Sequence, residues 1–266
     1  MIDTHCHFDI DDFAADRSEV AARALAAGVE AIVIPGYIAS LWPQLFRVCA
    51  SIAKPVLFAA PGLHPCYIEQ HQDAHLDELD HLLDTQPGIV AVGEIGLDFY
   101  LTELKEPALK ARQEAFFRAQ LRLAAKHGKP VLLHVRKAHQ EVLAILKSEK
   151  FAQGGIVHAY SGGIEEARHY ARLGFRLGIG GPVTYNQSRR LRSVVEQMPL
   201  AALVLETDAP DMIPKPHRDP TLRYTRNSPE FLPAVAAGLA AVMQLPLDTV
   251  LATTRATSID VLRLPL

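Results

Sequence analysis

The sequence predicts an α/β fold in which eight parallel strands close into a (β/α)8 TIM barrel. Short, continuously apolar stretches alternate with helix-length stretches along the chain, and together with the opening segment they give eight predicted strands. Strands that are apolar throughout belong to a parallel sheet covered on its outer face, and eight of them match a closed barrel better than an open sheet. No linker or internal repeat divides the 266 residues. We therefore expect residues 1–266 to form a single TIM-barrel domain, since such barrels exceed the usual domain length.

Each predicted strand after the first is a short apolar run, and a predicted helix separates each strand from the next. The opening segment through residues 3–7 is predicted as a strand, because two histidines two residues apart share a face only when the backbone is extended. The remaining strands are predicted at residues 30–35, 55–60, 89–92, 130–133, 155–157, 175–179 and 202–205. The helices between them are predicted at residues 18–28, 41–53, 76–84, 108–127, 138–147, 164–173 and 188–197.

Composition and charge exclude several classes of partner. A net charge of −3 and a pI near 6.5 argue against a broad electrostatic grip on duplex DNA or on a membrane, although a small local phosphate site remains compatible. The three cysteines, Cys6, Cys49 and Cys66, form no Cys-x-x-Cys pair and no even disulfide set, which suits a reducing compartment. The opening residues lack the basic and apolar regions of a signal peptide, and no apolar run reaches the roughly 18 residues of a membrane span, so we expect neither. We expect a cytoplasmic protein with no obligate protein partner.

Metal-binding residue types gather at the predicted strand ends. The set consists of four histidines and two carboxylates, namely His5, His7, Glu94, His134, His158 and Asp208. Taken one at a time, each of these residues has a purely structural explanation, because a histidine can form its hydrogen bonds within a core and a carboxylate can cap a helix. Active sites of barrels lie at the C-terminal ends of the strands, and unpaired acids and imidazoles gathered there would be costly without a ligand.

Six ligands exceed the needs of one ordinary metal ion. Catalytic zinc commonly takes three protein ligands and a water, so six ligands predict two divalent ions about 4 Å apart. Glu94 is the predicted bridge, because a carboxylate has two oxygens and a neutral imidazole offers one lone pair. The mixed nitrogen and oxygen ligands suit Zn, Mg or Mn.

The other histidines are predicted to lie outside the metal set. His64 follows the third strand, and we expect it to support the site or contact a substrate phosphate rather than bind metal. Six further histidines fall in helical or polar connecting segments and are expected to be exposed: His71, His75, His81, His127, His139 and His169.

The order of these motifs resembles the TatD family of metal-dependent deoxyribonucleases. The matching blocks are His5-x-His7, Gly62-Leu-His64-Pro, Gly93-Glu94-Ile-Gly-Leu-Asp98, His134-x-Arg136, His158-Ala-Tyr-Ser-Gly and Glu206-Thr-Asp208-x-Pro. The resemblance implies a metallohydrolase-type barrel, the same six metal ligands, and a phosphate site lined by His64. It also implies a 3′ to 5′ exonuclease that acts on single-stranded DNA, or RNA. The chain departs from the family pattern at Asp211 and residues 219–226, where substrate specificity is open to change.

Two metal ions favour hydrolysis of a phosphodiester at a nucleic-acid end or in a small molecule, because they activate water and clamp the attacking and leaving oxygens. We predict that Asp208 orients or deprotonates the water and that Glu94 holds the metal pair. Arg136 and Arg218 are candidates for phosphate contact, since guanidinium matches phosphate geometry; a solvated surface arginine is the alternative for each.

The sequence is also compatible with two other functions. A barrel with a metal pair also suits an amidase, deacylase or lactonase, because the fold does not decide the substrate. A metal-dependent scaffold or binding module without catalysis is the third hypothesis. Assays on single-stranded oligonucleotides and on acyl esters or lactams discriminate among the three.

Overall fold

The computed structural model describes residues 1–266 and contains eight parallel strands. They are β1 (Ile2–Asp3), β2 (Ala31–Pro35), β3 (Val56–Ala60), β4 (Val92–Asp98), β5 (Val131–Arg136), β6 (Gly155–Val157), β7 (Phe175–Ile179) and β8 (Leu203–Leu205). Neighbours in the chain are neighbours in space, in the orders β1-β2-β3 and β4-β5-β6-β7-β8.

Backbone hydrogen bonds join these two groups of strands into a closed barrel. Between the first group and the second, Val90 N donates to Ala59 O at 3.0 Å. Between the last strand and the first, Thr4 N donates to Leu205 O at 3.1 Å, and Asp208 N donates to His5 O at 2.9 Å. The predicted (β/α)8 barrel is confirmed.

Seven helices follow the strands and match the predicted ranges to within three residues. They are α1 (Arg17–Ala26), α2 (Trp42–Ser51), α3 (Asp73–Thr85), α4 (Pro107–Lys126), α5 (His139–Ser148), α6 (Ile164–Arg172) and α7 (Arg189–Gln197). Two further helices after β8, α8 (Leu232–Met243) and α9 (Leu247–Leu262), are absent from the sequence prediction. None of the helices is by itself both long and apolar enough to cross a membrane. One pair of helical segments is long and apolar enough when its members are taken together, namely Pro229–Met243 and Leu247–Leu262. The two are bent by 111° relative to each other, and they meet the requirement by length and composition only.

Alternation along the strands divides the apolar interior into two clusters. Residues such as Val33, Leu132 and Val204 point into the barrel and pack in one cluster with Val261 and Leu262 from the end of α9. The larger cluster lies between the outer face of the strands and the helices. Because the end of α9 shares this cluster with Ile2 and Ala31, which begin their strands, α9 lies at the N-terminal mouth. The C-terminal mouth is left for a site.

Two predicted strands differ from those observed. β1 ends at Asp3, so the prediction that His5 and His7 lie in a strand is wrong, although the segment still runs along the barrel wall through the bond from Cys6 N to Val33 O. β4 starts where the predicted strand at residues 89–92 ends, and it carries Glu94 within the strand. Its glycines hide it from a search for apolar runs. One of them, Gly96, has φ +140°, and a Cβ there would collide with the His134 carbonyl.

The expectation that six histidines are exposed is wrong for His71, which is 1% exposed. Its Nε2–H donates to His64 O at 2.8 Å, and its ring lies beside Phe116. His81 and His169 are exposed, whereas the remaining three, His75, His127 and His139, are partly buried.

His71 should make the protein less stable in mild acid. Burial lowers the pKa of His71 to about 4, whereas an unfolded histidine takes up its proton near pH 6.5. Between these values the unfolded chain binds more protons, so stability rises with pH, and acidification from pH 7 to 5 should remove about 2 kcal/mol of unfolding free energy through this residue.

Urea denaturation of metal-free protein at pH 7 and pH 5 measures this loss. The variant His71→Gln keeps a side-chain N–H donor and should show a smaller pH dependence than the parent, while the exposed His169→Gln should match the parent. An unchanged pH dependence in His71→Gln would show that this histidine is not the source.

Candidate metal centre

The six side chains predicted as metal ligands meet at the C-terminal mouth of the barrel. Five of them, His7, Glu94, His134, His158 and Asp208, line one cavity of about 460 Å³, and His5 lies buried behind it. Glu94 and His134 belong to β4 and β5, and the other four follow the ends of β1, β6 and β8. The barrel thus brings together positions as far apart in the sequence as His5 and Asp208. Their role as ligands stays a prediction.

Glu94 lies at the centre of this group. One of its carboxylate oxygens faces the His5–His7 pair, and the other faces His134 and His158. Oε2 is 3.2 Å from His5 Nε2 and 3.7 Å from His7 Nε2. Oε1 is 2.8 Å from His134 Nδ1 and 3.8 Å from His158 Nε2. A carboxylate with this arrangement is able to face two cations at once.

The carboxylate of Asp208 has the same arrangement on the opposite wall, with one oxygen facing His5 and His7 and the other facing His158. Its Oδ1 lies 3.7 Å from His5 Nε2 and 3.6 Å from His7 Nε2, while Oδ2 lies 3.7 Å from His158 Nε2. Its backbone is left-handed, with φ 55°, a conformation that aspartate tolerates better than most residues and that occurs often at functional sites. The bond from Asp208 N to His5 O fixes this backbone against the first segment of the chain.

Two further carboxylates orient the histidines from behind. Asp98 Oδ2 lies 3.0 Å from His134 Nε2, and Glu206 Oε1 lies 3.1 Å from His158 Nδ1. Such contacts fix the tautomer and direction of metal-binding imidazoles. Both carboxylates occur in the sequence motifs, but the sequence predicts no role for either. For Asp98 the available signal is its even spacing from Glu94, which places both on one side of an extended strand.

A buried network ties the first strand to the last beside the site. Asp3 Oδ1 accepts from Thr207 N at 2.9 Å, and its Oδ2 accepts from Thr207 Oγ1 at 2.6 Å. Burial raises the pKa of Asp3 to about 7. Asn227 Nδ2 donates to Thr207 O and to Asp211 O, so the loop that carries Asp208 is held from both sides.

The charges at the site depend on burial and on close neighbours. Burial lowers the pKa of His5 well below its ordinary value and that of His7 to about 4, so both present neutral imidazoles. Burial opposes ionisation of Glu94, but the imidazoles of His64, His158 and His5 outweigh it and hold the pKa of Glu94 well below its usual range. Burial raises the pKa of Asp208 to about 7.

The residues present fit a divalent cation. Both ring nitrogens of His5 are fully buried and have no hydrogen-bond partner, which is costly for a polar side chain unless a ligand satisfies it. Potential ligand atoms of His5, His7 and Asp208 all lie within 4.8 Å of one another. Neutral imidazoles beside ionised carboxylates are the ligands that Zn and Mn accept, and the oxygens extend the choice to Mg.

His64 faces the same cavity in a tautomer that disfavours metal binding. Its Nδ1 accepts the backbone N–H of Cys66 at 3.0 Å, which assigns the ring proton to Nε2. Nε2 lies 3.1 Å from His134 Nδ1 and 3.4 Å from Glu94 Oε1, where it is able to donate. This geometry favours the predicted substrate-contacting or supporting role.

The structure separates the two arginines predicted to contact phosphate. Arg136 lines the metal cavity, where its guanidinium lies 3.6 Å from Asp98 Oδ2 and 4.3 Å from the Tyr100 ring. Arg218 lies outside that cavity, in the wall of an adjoining one. Arg136 is thus the closer of the two to a substrate held at the six side chains.

Substitution of Glu94 should weaken metal binding more than any change at the protein surface. Glu94→Gln removes the negative charge and one acceptor shared by both halves of the site, so we expect at least about a tenfold loss of Zn or Mn affinity. Elemental analysis after chelation and reloading measures the loss, and circular dichroism checks the fold. The exposed Glu196→Gln should bind as the parent does; equal affinity in Glu94→Gln would exclude it as a ligand.

Comparison with known proteins agrees with the fold and motifs. A family model described as TatD related DNase matches residues 2–263. The uncharacterized metal-dependent hydrolase YjjV of Escherichia coli K12 is 39% identical over 213 residues, 80% of each chain. A protein named 3′-5′ ssDNA/RNA exonuclease TatD, from Edwardsiella piscicida, is 34% identical over 238 residues, 89% of each chain. The crystal structure of YjjV superposes with a TM-score of 0.91 and 34% identity over 100% of this chain and 98% of that one. The predicted resemblance is confirmed: the chain belongs to the TatD-related DNase family of metal-dependent hydrolases.

Proposed function

We propose that this enzyme hydrolyses phosphodiester bonds with two divalent ions and removes nucleotides from the 3′ end of single-stranded DNA, with RNA as an alternative substrate. The observation that carries the proposal is the geometry of Glu94 and Asp208, each of which turns one oxygen to the His5–His7 side and the other towards His158. The E. piscicida relative, named as a 3′-5′ ssDNA/RNA exonuclease, supports the choice of substrate.

The donor set divides naturally between two ions. His5, His7 and Asp208 would hold one, His134 and His158 the other, and Glu94 both. When bound, the ions would lower the pKa of water and stabilise negative charge on a phosphoryl centre. Zn, Mg and Mn all suit these ligands.

The side chains around the ligands supply positioning and proton transfer. Asp208 lies at the rim, and we assign its carboxylate the task of orienting the attacking water and accepting its proton. His64 Nε2–H and the Arg136 guanidinium face the cavity and would donate to non-bridging phosphate oxygens. Arg136 is 45% exposed, so its side chain has room to move towards a ligand.

The shape and charge of the protein favour a strand end over duplex DNA. The metal side chains lie in a cavity at one mouth of the barrel, and Glu94 and His5 are buried, so a phosphodiester must enter the mouth to reach them. A net charge of −3 gives no general attraction for a duplex. A flexible single strand is able to place its terminal phosphodiester in the cavity.

A metal-reconstituted sample should shorten a 5′-labelled single-stranded oligonucleotide stepwise from its 3′ end. Denaturing gels taken over time, in Zn, Mg and Mn separately, measure the ladder, and a phosphorothioate at the last 3′ linkage should block it. A panel of acyl esters, amides and lactones tests the alternative hydrolases. Turnover of that panel without oligonucleotide shortening would overturn the proposal.

Asp208→Asn should lose turnover while keeping most of its metal. The amide no longer accepts a proton, so we expect kcat to fall by about 100-fold or more. The exposed Asp248→Asn, at the start of α9, serves as the matched control and should retain activity. Normal turnover in Asp208→Asn would remove it from the mechanism.

A further inference from the structure

A second groove opens beside the metal cavity, on the side of the loops that follow β6, β7 and β8. Ala159, Ser161 and Met212 line both, so the two are continuous. The groove extends past the first turn of α7 towards the segment around Thr225, which includes the stretch 219–226 where the sequence departs from the family pattern.

Exposed arginines without partners are concentrated in the wall of this groove. Six of the chain's arginine side chains make no hydrogen bond, ion pair or aromatic contact, and four of these line the groove: Arg189, Arg190, Arg218 and Arg223. All four are exposed. The groove lining holds a single carboxylate, Asp211. Uncompensated positive charge along a groove attracts a polyanion.

Two tyrosines offer flat surfaces in the same groove. Tyr185 Oη donates to Ile213 O at 3.0 Å, and Tyr224 Oη donates to Pro210 O at 2.8 Å, so each phenol is anchored by its tip. Tyr224 is nevertheless 52% exposed. An anchored aromatic ring with an open face is suited to stack on a nucleic-acid base, whatever the base is.

The opposite side of the metal cavity has the reverse charge. There the adjoining depression is lined by Asp11 and Asp12, shares Asp211 with the groove, and has no lysine or arginine in its wall. A phosphate backbone that leaves the metal cavity is therefore repelled on the β1 side and attracted on the β6–β8 side.

We propose that this groove binds single-stranded nucleic acid, with the arginines on phosphates and Tyr185 and Tyr224 against bases. The inference rests on the proposed function, and it deepens that function by fixing the direction of the substrate. The 3′ end lies at the metal side chains, and the 5′ remainder of the strand runs along the groove towards α7 and Tyr224.

The salt dependence of binding tests the groove directly. The probe is a fluorescent single strand of about 12 nucleotides with phosphorothioate linkages, in DNA and RNA forms, titrated by anisotropy with Mn-loaded protein between about 50 and 300 mM NaCl. The double variant Arg189→Ala/Arg190→Ala should lower the slope of log affinity against log salt by about 1.4, and Arg223→Ala by about 0.7. The double variant Arg47→Ala/Arg172→Ala removes the same charge from the other unpartnered arginines and should bind as the parent does.

Kinetics separate the groove from the metal cavity. The kcat/KM of the groove double variant should fall at least tenfold more on the long unmodified strand than on a dinucleotide, because a dinucleotide is too short to reach α7. Any one of three results would overturn the groove proposal: an equal loss on both substrates, an equal effect in the control double variant, or an unchanged salt slope. If binding depends on the arginines but no hydrolysis occurs, the result supports the groove proposal and refutes the proposed exonuclease activity. A preference for the DNA or the RNA probe identifies the natural strand.

Discussion

The contact of one buried carboxylate with the surrounding imidazoles is the interaction on which the site depends. Glu94 is 1% exposed and lies within 4 Å of a ring nitrogen of His5, His7, His64, His134 and His158. Burial of an isolated carboxylate is expensive, and partners or a cation must offset the cost. Those partners come from the ends of β1, β3, β5 and β6, so the closed barrel is the condition for this arrangement.

The rest of the mouth preserves that arrangement. Asp98 and Glu206 orient two of the imidazoles, and the Asp3–Thr207 pair joins the first strand to the last. Gly178 makes room for this layer, because a Cβ there would collide with the Glu206 carboxylate. A site of this kind is assembled by folding itself, and little reorganisation is required when a ligand enters.

The barrel and the residues of the site could be predicted because both produce patterns that are visible in the sequence itself. Apolar runs place six of the eight strands closely, β2, β3 and β5 to β8, and a histidine or acid at a strand end marks the mouth. β4 was harder to place, since Gly93, Glu94 and Gly96 interrupt its apolar pattern. α8 follows β8 only after a long irregular segment, and α9 is an additional helix beyond the strand-then-helix alternation on which the prediction depends.

Contacts between distant segments are the part that the sequence does not reveal. His71 occurs in a polar stretch, yet it is buried by a hydrogen bond to the His64 carbonyl and by the Phe116 ring. Asp98 and Glu206 are visible as acids, but their partners are fixed only when the strands are in register, β4 with β5 for Asp98 and β6 through β7 with β8 for Glu206. The basic groove likewise combines α7 with the segment after β8, and no local pattern in either predicts the other.

Anomalous diffraction from crystals of the Mn-loaded protein tests the central claim most directly. The account predicts two peaks about 4 Å apart with the Glu94 carboxylate between them, one peak beside His5, His7 and Asp208 and the other beside His134 and His158. A single peak, or peaks that Glu94 does not contact, would contradict it.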